Sequence, residues 1–111
     1  MKHLNLAYNR VEDQGAIWLS EALDTNVSLT TLVICSNSLT DVGLCAIAKL
    51  LHTNPTVTKL YIWGNKIGEG AARAFMELTQ GDFPRLLADD IDVRAYVVDD
   101  VPYLARVSSP Y

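Results

Sequence analysis

Five aspartates form the densest group of chemically capable side chains in this 111-residue chain. They stand near the C-terminal end, at Asp89, Asp90, Asp92, Asp99 and Asp100. A calcium-binding loop of the EF-hand type needs acids at alternate positions, a central Gly and a closing Glu, and this stretch lacks that arrangement. We interpret the group as solvated loop charge rather than as a metal or acid–base site.

The histidines and glycines also fail to assemble a catalytic pattern. His3 and His52 have no Ser, Cys or carboxylate partner at a motif spacing, so we expect ordinary surface histidines. Gly68-Glu69-Gly70 is not followed by the Gly-Lys-Ser/Thr that a phosphate-binding loop requires. The sequence therefore predicts no catalytic residue, no metal ligand, no cofactor and no enzymatic activity.

The two cysteines, Cys35 and Cys45, stand ten residues apart, which matches no zinc-binding spacing. The start of the chain lacks the apolar segment of a secretory signal, so we expect a reducing compartment. We predict two free thiols that behave as small buried or half-buried apolar side chains.

Charge and hydropathy restrict the classes of partner. The chain carries 13 acidic and 9 basic residues, a net charge of −4, and its basic residues are scattered. A nucleic-acid surface needs clustered Lys and Arg, and a membrane span needs an apolar run of about 20 residues. The sequence predicts one small intracellular, cytoplasmic domain that binds neither nucleic acid nor membrane.

The elements that must position these side chains repeat every 28 residues. Aligning residues 4–31 with residues 32–59 gives 8 identities over 28 positions. Apolar residues and one asparagine keep this spacing through three units, as Leu4, Leu32 and Leu60; Leu6, Ile34 and Ile62; Asn9, Asn37 and Asn65; and Val11, Leu39 and Ile67. The chain is therefore built from internal repeats.

Each unit changes its apolar period partway along. Alternating apolar residues predict a short strand, and strands of successive units can pair in parallel. The Asn amide then falls where the chain must turn, and we expect it to be buried and to bond turn backbone groups. The following i, i+3, i+4, i+7 pattern predicts a helix. Asp13 and Asp41 stand where these helices begin, an end that favours carboxylates.

The opening pattern L-x-x-L-x-L-x-x-N-x-L is the leucine-rich-repeat signature, as in Leu29-Thr-Thr-Leu32-Val-Ile34-Cys-Ser-Asn37-Ser-Leu39. With the Gly-Ala/Leu, helix and Thr-Asn-x-Ser/Thr-Leu/Val that follow it, residues 1–80 resemble ribonuclease-inhibitor-type leucine-rich repeats. The resemblance implies an α/β solenoid with a short parallel sheet on the concave side and helices on the convex side. Ribonuclease inhibition itself is not carried over, because this chain has three units and two cysteines.

The repeat pattern stops near residue 80. Gly81-Asp82-Phe83-Pro84 replaces the sequence that would begin a fourth strand. We expect a turn or loop over 85–92 and a β-hairpin from the runs 93–98 and 103–107. The hairpin would close the end of the solenoid, so that 1–80 holds the repeats and 81–111 is a capping segment. The tail, through Tyr96-Val-Val-Asp99, also resembles the C-terminal part of one member of the family.

The outward side of the predicted sheet carries the candidate binding residues. Alternation places Val33, Tyr61 and Trp63 close together on the concave face, with Tyr8 beside them. Tyr and Trp are frequent anchors of protein interfaces. An alternative is that Trp63 is half covered by the capping segment or a neighbouring turn. We predict a protein-binding surface at these four residues.

The sequence as a whole predicts a non-enzymatic protein–protein interaction module. The resemblance implies a subunit or terminal fragment of a larger intracellular assembly, in the cytoplasm, a cilium or axoneme, or the nucleus. The alternative is an inhibitor or regulator of an enzyme bound on the concave face, where acidic charge would attract a basic partner. The first repeat has no predicted neighbour over its strand edge, so docking or self-association there is a further expectation.

Overall fold

The computed structural model describes residues 2–82 and 84–107. Each unit contributes one strand and one helix: β1 (His3–Asn5) and α1 (Glu12–Leu23), β2 (Thr31–Val33) and α2 (Asp41–Thr53), β3 (Lys59–Tyr61) and α3 (Glu69–Gln80). A 3₁₀ turn (Ala88–Asp90) and two further strands, β4 (Val93–Val98) and β5 (Val101–Arg106), follow. Phe83 and residues 108–111 of the predicted capping segment lie outside the described residues.

The three repeat strands form one parallel sheet in the order β1-β2-β3. Its register follows the 28-residue period, since Leu4 pairs with Leu32 and Leu32 pairs with Leu60. The inward residues of the second and third strands are fully buried against the helices, and they form the centre of the core with Leu29, Leu44, Ile47 and Phe75. The parallel sheet with helices between its strands fits the predicted α/β leucine-rich-repeat fold.

The repeated asparagines join each unit to the one before it. Asn37 Nδ2 donates to Leu6 O of the first unit (2.8 Å) and to Cys35 O (2.9 Å). Asn65 Nδ2 repeats the pattern with Ile34 O (3.1 Å) of the second unit. Asn37 is fully buried. Asn9 differs from the expectation of a buried amide, because it is exposed and donates only within its own turn.

The aspartates at the helix starts act on the following helix rather than on their own. Asp13 Oδ1 accepts from Thr40 N (2.8 Å) and Gly43 N (2.9 Å) at the start of α2. Asp41 accepts in the same way from Gly68 N (2.7 Å) and from Gly70 N at the start of α3. A Cβ on Gly43 would lie 2.5 Å from Asp13 Oδ1, so glycine is required for this approach. The positive ends of the α2 and α3 dipoles are thus neutralised from the neighbouring unit.

A third set of bonds runs through the loops that follow the helices. Asn54, 1% exposed, donates through Nδ2 to Leu23 O (2.7 Å) and Asn26 O (2.8 Å) of the preceding unit. Thr56 Oγ1 donates to Leu29 O (2.8 Å). Repeats therefore meet through three sets of polar contacts as well as through the apolar core.

Arg85 takes over these loop bonds where the repeats end. Its guanidinium donates to Leu51 O, Asn54 O and Val57 O, each at 2.8 Å. These carbonyls lie 28 residues after the three that Asn54 and Thr56 bind. One arginine therefore supplies the donors that an Asn and a Thr supply between repeats.

The strands β4 and β5 form an antiparallel hairpin that packs against α3. The second strand begins at Val101 instead of the expected residue 103, because Asp99 and Asp100 both adopt positive φ and turn the chain in two residues. Tyr96 and Tyr103 stack across the strands with ring centroids 5.5 Å apart. Ile91 makes a parallel bridge with Leu60, beside the last repeat strand.

Candidate functional site

The concave side of the sheet differs from the predicted binding surface. Val33 is fully buried and Tyr61 is 8% exposed, so neither presents the free surface expected of it. These two side chains pack sideways with Cys35 into a small apolar cluster, against which Ala7 also packs. The parallel register places Val33 directly beside Tyr61, and adjacent strands lie close enough for such side chains to cover each other.

The other two predicted residues, Tyr8 and Trp63, lie at the end of the strands. Tyr8 is 77% exposed. Trp63 is half-buried and packs partly against the main core. The two aromatic residues line a cavity of about 160 Å³ together with Ser36, Gly64, Asp92, Cys35 and Arg106. Of the four predicted residues, Tyr8 and Trp63 therefore line one cavity.

The loops that form this site adopt the same unusual backbone conformation in all three units. Tyr8, Ser36 and Gly64, spaced by 28 residues, have φ of 60°, 52° and 89°. A Cβ on Gly64 would clash with Ser36 Oγ, so the loops stack too closely there for a side chain. Tyr8 N donates to Cys35 O (3.0 Å), and Ser36 N to Trp63 O (3.0 Å). These backbone hydrogen bonds between the loops of neighbouring units hold Tyr8 in a conformation that is unfavourable for an aromatic residue.

Asp92 closes the floor of the cavity, and it is not solvated loop charge. It is 1% exposed and accepts from Ile62 N (2.9 Å) and Trp63 N (3.0 Å). In the two preceding units the amides equivalent to Ile62 N donate instead to backbone carbonyls of the next unit. The sequence signal that could have separated Asp92 from the other aspartates is its position between two buried apolar residues, Ile91 and Val93.

Cys35 donates its thiol to Asp92 Oδ2, with a sulfur-to-oxygen distance of 3.6 Å. Burial, with the charge of Asp92 and this hydrogen bond, raises the pKa of Cys35 to about 11. Burial and the charge of Asp41 raise the pKa of Cys45 as well. Both cysteines are free, and both are held as thiols rather than as nucleophilic thiolates at neutral pH.

A second, larger concavity lies on the helical side, where the sequence predicts no site. It encloses about 420 Å³ between α1 and α2, and its lining includes Ile17, Glu21, Asp24, Lys49 and Leu50. Its lining places the acidic Glu21 and Asp24 and the basic Lys49 beside apolar side chains.

Metal, ion-pair and membrane features are few over residues 2–82 and 84–107. No three His, Cys, Asp or Glu side chains of that part are placed to hold a metal ion. The ion pair found there joins Arg73 and Glu69, both exposed, at 3.7 Å. None of the described helices is long and apolar enough to cross a membrane.

Comparison with known families gives a match in the first two units. The leucine-rich-repeat family model matches residues 1–20 and 25–48. A search of curated proteins found no significant match to the chain. The matched segments contain Asn9, Asn37, Asp13 and Asp41, and repeats of this family are generally non-enzymatic modules that bind proteins. Residues 1–20 and 25–48 are therefore similar to leucine-rich repeats.

Proposed function

We propose that this chain is a non-enzymatic interaction module that binds a partner protein at the strand-end cavity, through Tyr8 and Trp63. The observation that carries the proposal is the exposure of Tyr8. The hydrogen bonds between the loops hold this residue in a strained conformation beside a half-buried Trp63. Strained residues are concentrated at functional sites. Aromatic side chains in partly desolvated pockets are typical anchors of protein interfaces.

The setting that we propose is a ribonuclease-inhibitor-type solenoid whose C-terminal segment acts as a cap. It would serve as a subunit or terminal part of a larger intracellular assembly in the cytoplasm, a cilium or the nucleus. The support for a cap is that Arg85 and Asp92 bind the backbone groups that a fourth repeat would bind. The support for the assembly and for these compartments is the sequence resemblance.

Affinity capture with quantitative mass spectrometry tests the interaction, using the native chain, Tyr8→Ala and Trp18→Ala as baits. Trp18 is 65% exposed on α1, so its variant is a matched control for loss of an exposed aromatic side chain. The proposal expects a protein that the native chain and the control retain and that Tyr8→Ala loses. With that protein purified, Tyr8→Ala should weaken binding by about 2 kcal/mol, while both variants melt close to the native chain.

Trp63→Phe gives the second measurement, because it keeps an aromatic side chain against the core and removes the indole N–H and bulk. Equal binding by Tyr8→Ala, Trp63→Phe and the native chain would disprove the strand-end site. Regulation of a basic enzyme is the competing function, which the net charge of −4 favours. Its affinity should fall steeply as ionic strength rises, whereas binding through the aromatic pair should change little.

A further inference from the structure

The two faces of the β4–β5 hairpin differ in what covers them. Val93 and Ala95 lie on its inner face and are buried, and Leu104 on the same face packs against the main core. Three cross-strand pairs form the outer face: Arg94 with Ala105, Tyr96 with Tyr103, and Val98 with Val101. Tyr96, Tyr103 and Val98 are 46%, 45% and 49% exposed. One face therefore holds the hairpin to the chain, and the outer face presents an apolar centre to solvent.

The tyrosine pair gives this centre a fixed shape. The rings of Tyr96 and Tyr103 stack with centroids 5.5 Å apart and planes 23° apart. A stacked pair offers a broad apolar surface, and its hydroxyl groups can stay in water at the margin of a contact. Because the stack already orders both side chains, covering them costs little further conformational entropy. The pair is thus a preformed anchor for an apolar surface of another molecule.

Opposite charges stand at the two ends of the outer face. Arg94 lies at the base of the hairpin, and Asp99 and Asp100 form its tip. All three are exposed, and none of them takes part in an ion pair with another side chain that the structure describes. Arg94 and Val98 each stand two residues from Tyr96, which is about 7 Å along the strand in opposite directions. The outer face is therefore positive at one end, negative at the other and apolar midway between them.

We propose that the outer face of the hairpin binds the outer face of a second copy of this chain, with the two hairpins running in opposite directions. The two tyrosine pairs pack against each other at the two-fold axis. The inversion brings Arg94 of each copy over Val98 of the other, from where the guanidinium reaches Asp99 of that copy. One interface thereby contains two equivalent Arg–Asp contacts on either side of an apolar centre.

The placement of charge selects both the partner and the orientation. Two hairpins running in the same direction would place Arg94 against Arg94 and Asp99 against Asp99, and like charges across an interface are repulsive. A uniformly acidic or basic partner would be attracted at one end and repelled at the other. An inverted second copy satisfies both ends, because a two-fold interface requires a self-complementary patch. The proposal does not depend on the proposed function, since neither Tyr8 nor Trp63 belongs to the outer face.

Sedimentation equilibrium of the full chain tests whether the dimer forms. The six residues of the outer face bury far less than the roughly 800 Å² per partner of a standard interface. We therefore expect weak association, in which the average mass rises from that of one chain toward that of two between about 10 μM and 1 mM. The mass of a single chain throughout this range would overturn the proposal.

A charge exchange between two variants tests whether the outer face is the contact. Arg94→Glu or Asp99→Lys alone would face like charges twice across the two-fold axis, so association should weaken by about tenfold or more. An equimolar mixture of the two variants restores both opposite-charge contacts in a mixed dimer. Association of the mixture should therefore exceed that of either variant alone by about tenfold. Recovery on mixing would also show that both variants are folded.

Asp89→Lys is the matched control, because it makes the same change of charge at an exposed position away from the outer face. It should associate like the native chain. If Asp99→Lys does not fold at the positive φ of this position, Asp99→Asn removes the charge with a side chain that suits the turn, and it should still weaken the dimer. A dimer that Arg94→Glu and the folded Asp99 variant both retain, or a mixture no more associated than its components, would show that another surface forms the contact and the proposal is wrong.

Discussion

Changing Asp92 to asparagine perturbs the buried carboxylate on which the C-terminal end of the sheet depends. The substituted side chain could keep the bond from Ile62 N through its remaining oxygen, but its amide N–H₂ would replace the acceptor that faces Trp63 N at 3.0 Å. A buried N–H without an acceptor costs about 1–3 kcal/mol. With the loss of a charged acceptor, we expect the free energy of unfolding to fall by about 2–4 kcal/mol. The melting temperature should then fall by roughly 10 °C or more.

The thiol of Cys35 provides an independent reading of the same contact. Burial and the Asp92 charge together raise its pKa to about 11. In Asp92→Asn the burial remains and the charge is gone, so the pKa should drop below 11 and stay above the ordinary value of 9.0. The thiolate absorbance during alkaline titration, taken as the difference between forms with Cys35 and with Cys35→Ala, measures this shift.

Asp89→Asn is the matched control, because it removes the same charge from an exposed position nearby. It should leave both the melting temperature and the Cys35 titration unchanged. If Asp92→Asn behaves like Asp89→Asn in both measurements, the carboxylate does not bind the strand amides and our account of this end of the sheet is wrong.

Three further predictions concern the contacts between repeats. Arg85→Met keeps an unbranched stem and removes three donors from Leu51 O, Asn54 O and Val57 O; chemical denaturation should show a loss of about 2–4 kcal/mol, and an unchanged midpoint would contradict the role of Arg85. Asn37→Ala should destabilise the chain by at least ~2 kcal/mol, whereas replacing the exposed Asn9 by Ala should change the stability little. Equal melting curves for the two variants would show that the hydrogen bonds of Asn37 do not stabilise the contact between units. Burial tends to raise the pKa of Asp13, but hydrogen bonds from Thr40 Oγ1, Thr40 N and Gly43 N outweigh it and lower that pKa below 3.8. The stability that Asp13 contributes is therefore complete above its unfolded pKa and lost as pH falls through the lowered value, so Asp13→Asn should flatten the acid limb of the melting profile, and an unaltered limb would count against the capping bond.

The repeat architecture could be predicted because period and residue type carry the same information in every unit. The apolar residues and the Asn recur together every 28 residues, and the pairing of Leu4 with Leu32 and of Leu32 with Leu60 keeps that step. The outward burial of Val33 and Tyr61 could not be predicted in this way. Alternation gives the side of a strand on which a residue lies, but it does not say which neighbours cover that side.

The contacts between units also could not be predicted from the sequence of a single unit. Asp13 stands at the start of its own helix in the sequence, and the ordinary preference of carboxylates for helix starts is already satisfied by that position. Its acceptor atoms nevertheless bind the next helix, because Gly43 removes the side chain that would keep the two helices apart. A carboxylate at a helix start can bind its own helix or the helix of the next unit, and only the three-dimensional structure shows which of the two it binds.

Arg85 and Asp92 support the proposal that the C-terminal segment caps the third unit. The last unit presents loop carbonyls that need donors and strand amides that need acceptors. A guanidinium carries several donors and no acceptor, and a carboxylate carries acceptors and no donor when ionised. Each side chain therefore satisfies one set without presenting backbone groups for a further unit. A strand in the same place would satisfy both sets but would expose a new edge, whereas Arg85 offers only donors and an ionised Asp92 offers only acceptors.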